Sequence, residues 1–250
     1  MARKLFVIGS YLSPYVRKLL AVLEHKGLEY EIDPIVPFYG NDAFTDLSPA
    51  RKIPVLMDAD VCLADSTVII EYLNEKYPVP DILPGGPEAR AQLRWFEEYA
   101  DSVLGDVFIW GYWNQAVINR FVWGNQPDQG ILREAVEEKI PRILDYLESQ
   151  LPASGSIAGQ LSVADISVAS FFRNLILGRY KLDNTRWPVT SGFVDRTLAL
   201  PCFAALNEFE QLSMQYPIDQ HREALLAAGA PVSKKSFGEF HPRAGLITRK

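Results

Sequence analysis

The chain of 250 residues has two cysteines, three histidines and three methionines, and each scarcity excludes a class of chemistry. Cys62 and Cys202 lie far apart, form no CxxC pair and sit in apolar surroundings, which excludes a disulfide scaffold or a zinc ribbon. Both are expected to be buried, reduced thiols, as suits a cytoplasmic protein. His25, His221 and His241 are scattered, and neither an HExxH nor a GxSxG motif occurs, so no metal and no serine-hydrolase elbow is expected. No apolar run reaches the ~18 residues of a membrane span, and Met1 to Lys4 lead into too few apolar residues for a signal peptide. A basic excess is lacking as well: 25 Lys and Arg stand against 31 Asp and Glu, for a net charge of -6. Nucleic acid and acidic membranes are therefore not expected partners.

Turning to what is present, the length suits two modest domains. Leu5 to Ile8 reads as a buried strand, Pro14 to Lys26 as a helix and Tyr30 to Ile35 as a second strand, a βαβ order. A loop rich in Pro37, Gly40, Asn41, Asp42 and Pro49 follows. Val55 to Met57 and Val61 to Leu63 then flank Asp58 Ala59 Asp60 as a hairpin, and Asp65 and Ser66 cap a helix carrying Val68, Ile69, Tyr72 and Leu73. A small mixed sheet with helices packed on it is implied.

The stretch from Tyr77 through Pro87 holds four prolines and two glycines, which no regular element tolerates. The expected division is residues 1–78, a linker at 79–88, and residues 89–250. Beyond the linker Leu93, Phe96, Ala100, Val103, Val107 and Trp110 trace one helical stripe. Leu132, Val136, Ile140, Ile143, Leu147 and Leu151 trace another, with Pro141 predicting a kink or break near Ile140. The C-terminal part reads as all-helical, with residues after about Pro217 a loosely packed extension. Ser162 with Asp165 at N3, and Leu161 facing Ile166, form a capping box with a hydrophobic staple. Asp165 is read as a nucleating cap rather than a catalytic carboxylate.

The chemistry-bearing junction is Ser13 Pro14 Tyr15 Val16 Arg17 Lys18, between the first strand and first helix. Ser13 suits the N-cap, Pro14 the first helical position and Gly27 the C-terminal stop. A helix start offers unpaired N–H groups and about half a positive charge, so a thiolate or carboxylate would be stabilised there. Ser13 is either a cap alone or a cap that also faces a ligand. Ser10 and Tyr11 are the alternative hydroxyls on the same loop.

A βαβββα domain, a proline-rich linker and a helical bundle with a capping box resemble the glutathione transferase superfamily, from residue 4 to residue 212. Four motifs carry the resemblance in the family's order: Ser13 Pro14 Tyr15, then Lys52 Ile53 Pro54 Val55 Leu56, then Ala64 Asp65 Ser66 Thr67, then Ser162 to Asp165. The pattern is most like serine-type classes related to the tau and omega groups. Two features depart from it: Arg17 and Lys18 both follow the first motif, and Asp65 stands where Glu is commoner.

The resemblance implies a thioredoxin-like βαβββα N-terminal domain followed by an all-helical domain, and glutathione as co-substrate. It implies that Pro54 is cis and that Ile53 pairs its backbone with glutathione. Lys52 would meet the glycine carboxylate, Asp65 and Ser66 the γ-glutamyl end, and Ser13 the thiolate. Serine rather than cysteine at position 13 argues against disulfide exchange. The implied reaction is attack on a small apolar electrophile in a pocket between the domains, with Tyr15, Trp110, Tyr112 and Trp113 as candidate walls. Glutathione-dependent isomerisation, reduction or dehalogenation is the alternative within enzymes, and a non-catalytic interaction protein the alternative outside them. The family also implies a homodimer. Trp95 and Tyr99 beside Glu97, Glu98 and Asp101 offer a mixed face for it, from which Asp101 could reach a neighbour's glutathione.

Overall fold

The computed structural model describes residues 4–245, and they form two units: residues 4–80 with 201–245, and residues 81–200. In the first unit β1 (Leu5–Ile8) and β2 (Tyr30–Asp33) pair in parallel, with Leu5 opposite Tyr30 and Ile8 opposite Asp33. The crossover between them is α1 (Pro14–Lys26), which Gly27 ends in the left-handed conformation at φ 64°. The N–H groups of Gly27 and Leu28 return to the carbonyls of Glu24 and Leu23. β3 (Val55–Asp58) runs antiparallel to β1, β4 (Val61–Leu63) closes a hairpin on β3, and the order is β2-β1-β3-β4. α3 (Ser66–Lys76) completes the thioredoxin-like arrangement, its Ile69 and Leu73 sharing a core with Val7, Leu19, Leu20, Leu23 and Ile32. Each such side chain contributes about 1.5–3 kcal/mol on full burial.

Three features depart from the sequence expectations here. The loop after β2 contains a short helix, α2 (Asp42–Leu47), because the Asn41 side chain accepts the Phe44 N–H at 3.0 Å and supplies a cap. Cys202 is buried as expected, but Cys62 is exposed, since β4 is an edge strand. Most consequentially, residues 201–245 group with the first unit, whereas residues 89–250 were expected to form one domain ending in a loose extension. Leu206, Leu225, Ala230 and Phe237 join the core beneath α1 and β2. They have no period because their partners lie on several different elements.

Beyond residue 80 the second unit is all-helical. α4 (Pro87–Tyr99) continues through a π-helical stretch, Ala100–Ile118, into α5 (Asn119–Phe121). The buried seam is Leu93, Ala100, Leu104, Phe108 and Tyr112, not the predicted stripe, in which Phe96, Val103, Val107 and Trp110 are only half-buried. The wider π winding, whose N–H groups return five residues back, retards the seam relative to an α-helical period. α6 (Gln129–Glu134) is followed by a π turn, Ala135–Lys139, and then α7 (Ile140–Gln150), so the break expected at Pro141 takes the form of a π turn just before it. α8 (Val163–Leu177) starts at the capping box, with the Ser162 N–H and hydroxyl both reaching Asp165 Oδ2 at 2.9 and 2.5 Å, and packs against α4 and the π stretch. α9 (Pro188–Leu198) ends the unit. In the first unit the chain goes on as α10 (Pro201–Ala204), α11 (Asn207–Gln215) and α12 (His221–Ala227). Among the described residues no helix is long and apolar enough to cross a membrane.

Candidate functional site

The end of β1, the first turn of α1 and the approach to β3 meet at Gly9. A Cβ there would lie 2.4 Å from Val16 Cγ2 and 3.4 Å from Ile53 Cβ, so only glycine lets the three come together. Ser13 caps α1 from an extended backbone. Its Oγ accepts the Val16 N–H at 3.4 Å and its carbonyl takes the Arg17 N–H at 2.9 Å. The side chain is half-buried, and its hydroxyl hydrogen has no acceptor among the described residues. It is thus positioned as an acceptor by the helix and free to donate outward. Ser10 is 4% exposed and its Oγ accepts the Leu12 N–H at 3.2 Å, while Tyr11 is 1% exposed and burial pushes its phenol up. Neither offers a comparable hydroxyl.

Ile53 is buried beside this junction, and the Ile53–Pro54 peptide is cis. Lys52 has an exposed side chain but a held backbone: the Ser48 hydroxyl donates to its carbonyl at 2.9 Å and accepts its N–H at 3.0 Å. Arg51 braces the same loop, donating to Gly40 O at 2.8 Å and Thr45 Oγ1 at 2.6 Å.

At the start of α3, Asp65 Oδ1 accepts the N–H groups of Thr67 and Val68 at 3.0 and 3.2 Å, and the hydroxyl of the buried Ser66 bonds no described residue. Lys18, fully buried, donates to Thr67 Oγ1 at 3.3 Å and so ties α1 to the head of α3. The N-terminus of α3 thus has the buried Lys18 cation beside it, an arrangement that favours an anion. Arg17 turns the other way, pairing with Glu210 of α11 and donating to Tyr11 O at 3.2 Å. The two basic residues thus serve different sides of α1.

The structure brings Val16, in the first turn of the helix that Ser13 caps, close to Ile53 at Gly9, and Lys18 ties α1 to Thr67 at the start of α3. Tyr15 is half-buried in the first turn of α1. In the second unit Trp110 is half-buried, and Tyr112 and Trp113 are core residues. The Tyr112 hydroxyl donates to Gly178 O at 2.6 Å, and its ring stands edge-on to Tyr180, so its polar end serves packing of that unit. Sequence reasoning missed Gly9, Ser48 and the Lys18–Thr67 link. Gly9, directly after an apolar strand and before the cap, was the one available signal. Among the described residues no group of three His, Cys, Asp or Glu is placed to hold a metal ion.

Comparison with known proteins bears on the family and the fold. Residues 7–86 match the family model described as glutathione S-transferase, N-terminal domain. The chain is 31% identical over 164 residues to the uncharacterized GST-like protein YibF of Escherichia coli (strain K12), covering 65% of this chain and 78% of that protein. A glutathione S-transferase from Rhodospirillum rubrum F11 shares 25% identity at a TM-score of 0.75, covering 81% of this chain and 91% of that one. Another, from Methylobacterium radiotolerans in complex with glutathione sulfonate, shares 25% identity at a TM-score of 0.67, covering 81% and 94%.

Proposed function

Since the chain belongs to the glutathione S-transferase superfamily, we propose that it binds glutathione on its thioredoxin-like unit and activates it as a thiolate at Ser13, for attack on a small apolar electrophile. The observation that carries this is the Ser13 hydroxyl, held by the helix yet with its hydrogen unspent. Ile53 offers backbone N–H and C=O to the tripeptide as a pairing strand would. Lys52 meets the glycine carboxylate, while Ser66 and the start of α3 take the γ-glutamyl carboxylate, with Asp65 toward its ammonium group.

The energetics are adequate. A thiol of pKa about 8.5 is only a few per cent ionised at neutral pH, and lowering it by about two units requires roughly 2.7 kcal/mol in favour of the thiolate. A hydrogen bond to a charged acceptor contributes about 1.5–3 kcal/mol, and a helix terminus about 0.3–2. The thiol proton leaves to water, the Ser13 O–H donates to the sulfur, and the sulfur lone pair forms a C–S bond at the electrophilic carbon as the bond to the leaving group breaks and that group departs with its electron pair.

Ser13→Ala should reduce turnover at least about tenfold, the loss of ~1.4 kcal/mol of preferential stabilisation, with glutathione affinity little changed. Ser13→Gly separates chemistry from capping, because glycine at an N-cap costs only a few tenths of a kcal/mol relative to serine. Wild-type turnover in Ser13→Gly between pH ~6 and ~8 would overturn the assignment.

The same reading carries a homodimer of a cytoplasmic enzyme. The aromatic face of α4 and α7, where the half-exposed Trp95 indole donates to Tyr146 Oη at 3.4 Å and the Tyr99 ring lies tilted against both, suits a partly polar subunit contact. Light scattering should give twice the 28.1 kDa chain mass, and a mass of one chain at micromolar concentration excludes the dimer.

A further inference from the structure

We propose that the C-terminal segment 230–243, anchored at Asp33, positions the backbone of Lys52 and Ile53 and so sets affinity for glutathione, which presupposes the site proposed above.

Asp33 ends β2 with none of its surface exposed. Its carboxylate accepts the Phe237 N–H at 2.6 Å, the Ser236 hydroxyl at 3.0 Å and the Arg222 guanidinium at 2.9 Å. Just before it in sequence, Ile32 is flanked by Val232 as by a parallel strand, with Ile32 N–H to Pro231 O and Ser233 N–H to Ile32 O, both 2.8 Å. The segment is therefore bonded along the β2 edge rather than lying loosely over it.

From that anchor it runs onto residues 38–42. Phe237 O accepts the Asn41 N–H at 2.8 Å, Glu239 N–H donates to Tyr39 O at 2.7 Å, and Arg243 N–H donates to Phe38 O at 2.7 Å. The Arg243 guanidinium adds Gly40 O at 3.0 Å and Asp42 at 2.7 Å. Two routes lead on to Lys52. Gly40 O is shared with Arg51, the residue before Lys52. Asn41 caps α2, whose C-terminal Ser48 holds both the N–H and the carbonyl of Lys52. An unbroken chain of hydrogen bonds thus joins the segment to the strand that would pair with glutathione, although no residue of the segment is needed at the ligand itself.

Arg243→Ala, a half-exposed position, and Asp33→Asn, made in the full chain, test this. Arg196→Ala in the second unit, where the guanidinium donates to Gly155 O, controls for a simple loss of stability. Amide exchange at Asn41 and across Ser48 to Ile53 should quicken in Arg243→Ala. The glutathione Kd and KM should rise roughly three- to tenfold in both test variants, with kcat at saturating glutathione toward an activated aryl halide within about twofold of wild type. Arg196→Ala should change neither exchange at those amides nor Kd. Unchanged exchange in Arg243→Ala, or quickened exchange with unchanged Kd, overturns the proposal. A wild-type chain that retains no glutathione overturns the proposed function instead, and the exchange comparison still decides whether the segment holds Lys52 and Ile53.

Discussion

Arg17 is a guanidinium with no exposed surface, and Glu210, 2% exposed, supplies the countercharge from the far end of the chain. From the sequence, Arg17 and Lys18 are adjacent basic residues on a helix and indistinguishable in role, because nothing local says what covers each side of α1. The structure separates them: Lys18 serves the head of α3, and Arg17 pairs with Glu210 of α11. The energetic consequence is testable. Glu210→Ala removes the carboxylate that pairs with the buried Arg17 and should cost about 3–5 kcal/mol in urea unfolding. Replacing both residues by methionine removes the charge together with its desolvation cost, so the double variant should be more stable than Glu210→Ala. A Glu210→Ala cost below about 1 kcal/mol would mean that water reaches the pair. Ser13 was legible at this scale for the opposite reason, since an N-cap is specified by its own backbone and its next three residues.

Elements were legible where their signals were local. α1 follows from Ser13, Pro14 and Gly27, and α8 from the Ser162–Asp165 box, whose Asp165 also accepts the Ile157 N–H at 2.8 Å. Both sets of signals sit within one turn of the element end. α2 escaped because six residues are too few for a hydrophobic period, and its cap, Asn41, stands in a stretch whose prolines and glycine read as loop. The seam between Leu93 and Tyr112 was misplaced because a period of three and four was imposed on a π-helical stretch. That winding leaves Phe108 edge-on to Phe172 of α8 at 5.2 Å, a contact that tertiary packing favours and local propensity does not encode. The backbone of the candidate site is legible in the same degree: Lys52 Ile53 Pro54 stood out as a motif, but the Ser48 hydroxyl that holds it did not.

At the scale of the whole molecule, the boundary near residue 80 was legible because prolines and glycines mark it, and the return at residue 201 was not. Leu200 and Pro201 lie in a run of short helices with no linker composition, and what makes Pro201 a boundary is the destination of Leu206, Leu225, Ala230 and Phe237 in the core with Val7 and Leu20. A chain cut by linker composition alone would therefore fail in one direction only. Residues 81–200 expressed alone keep their own buried seam and the Ser162 cap, so they should show helical circular dichroism and a cooperative melt. Residues 1–80 alone lose four core side chains and the partner of Arg17. At ~1.5–3 kcal/mol per buried apolar side chain, that loss is comparable to the whole stability of a small domain, so this piece should lack a cooperative transition and bind a hydrophobic dye. Joining residues 201–250 to residue 80 through a flexible glycine–serine linker should restore the transition. A cooperative melt in residues 1–80 alone would show that the C-terminal segment only decorates a core already complete without it.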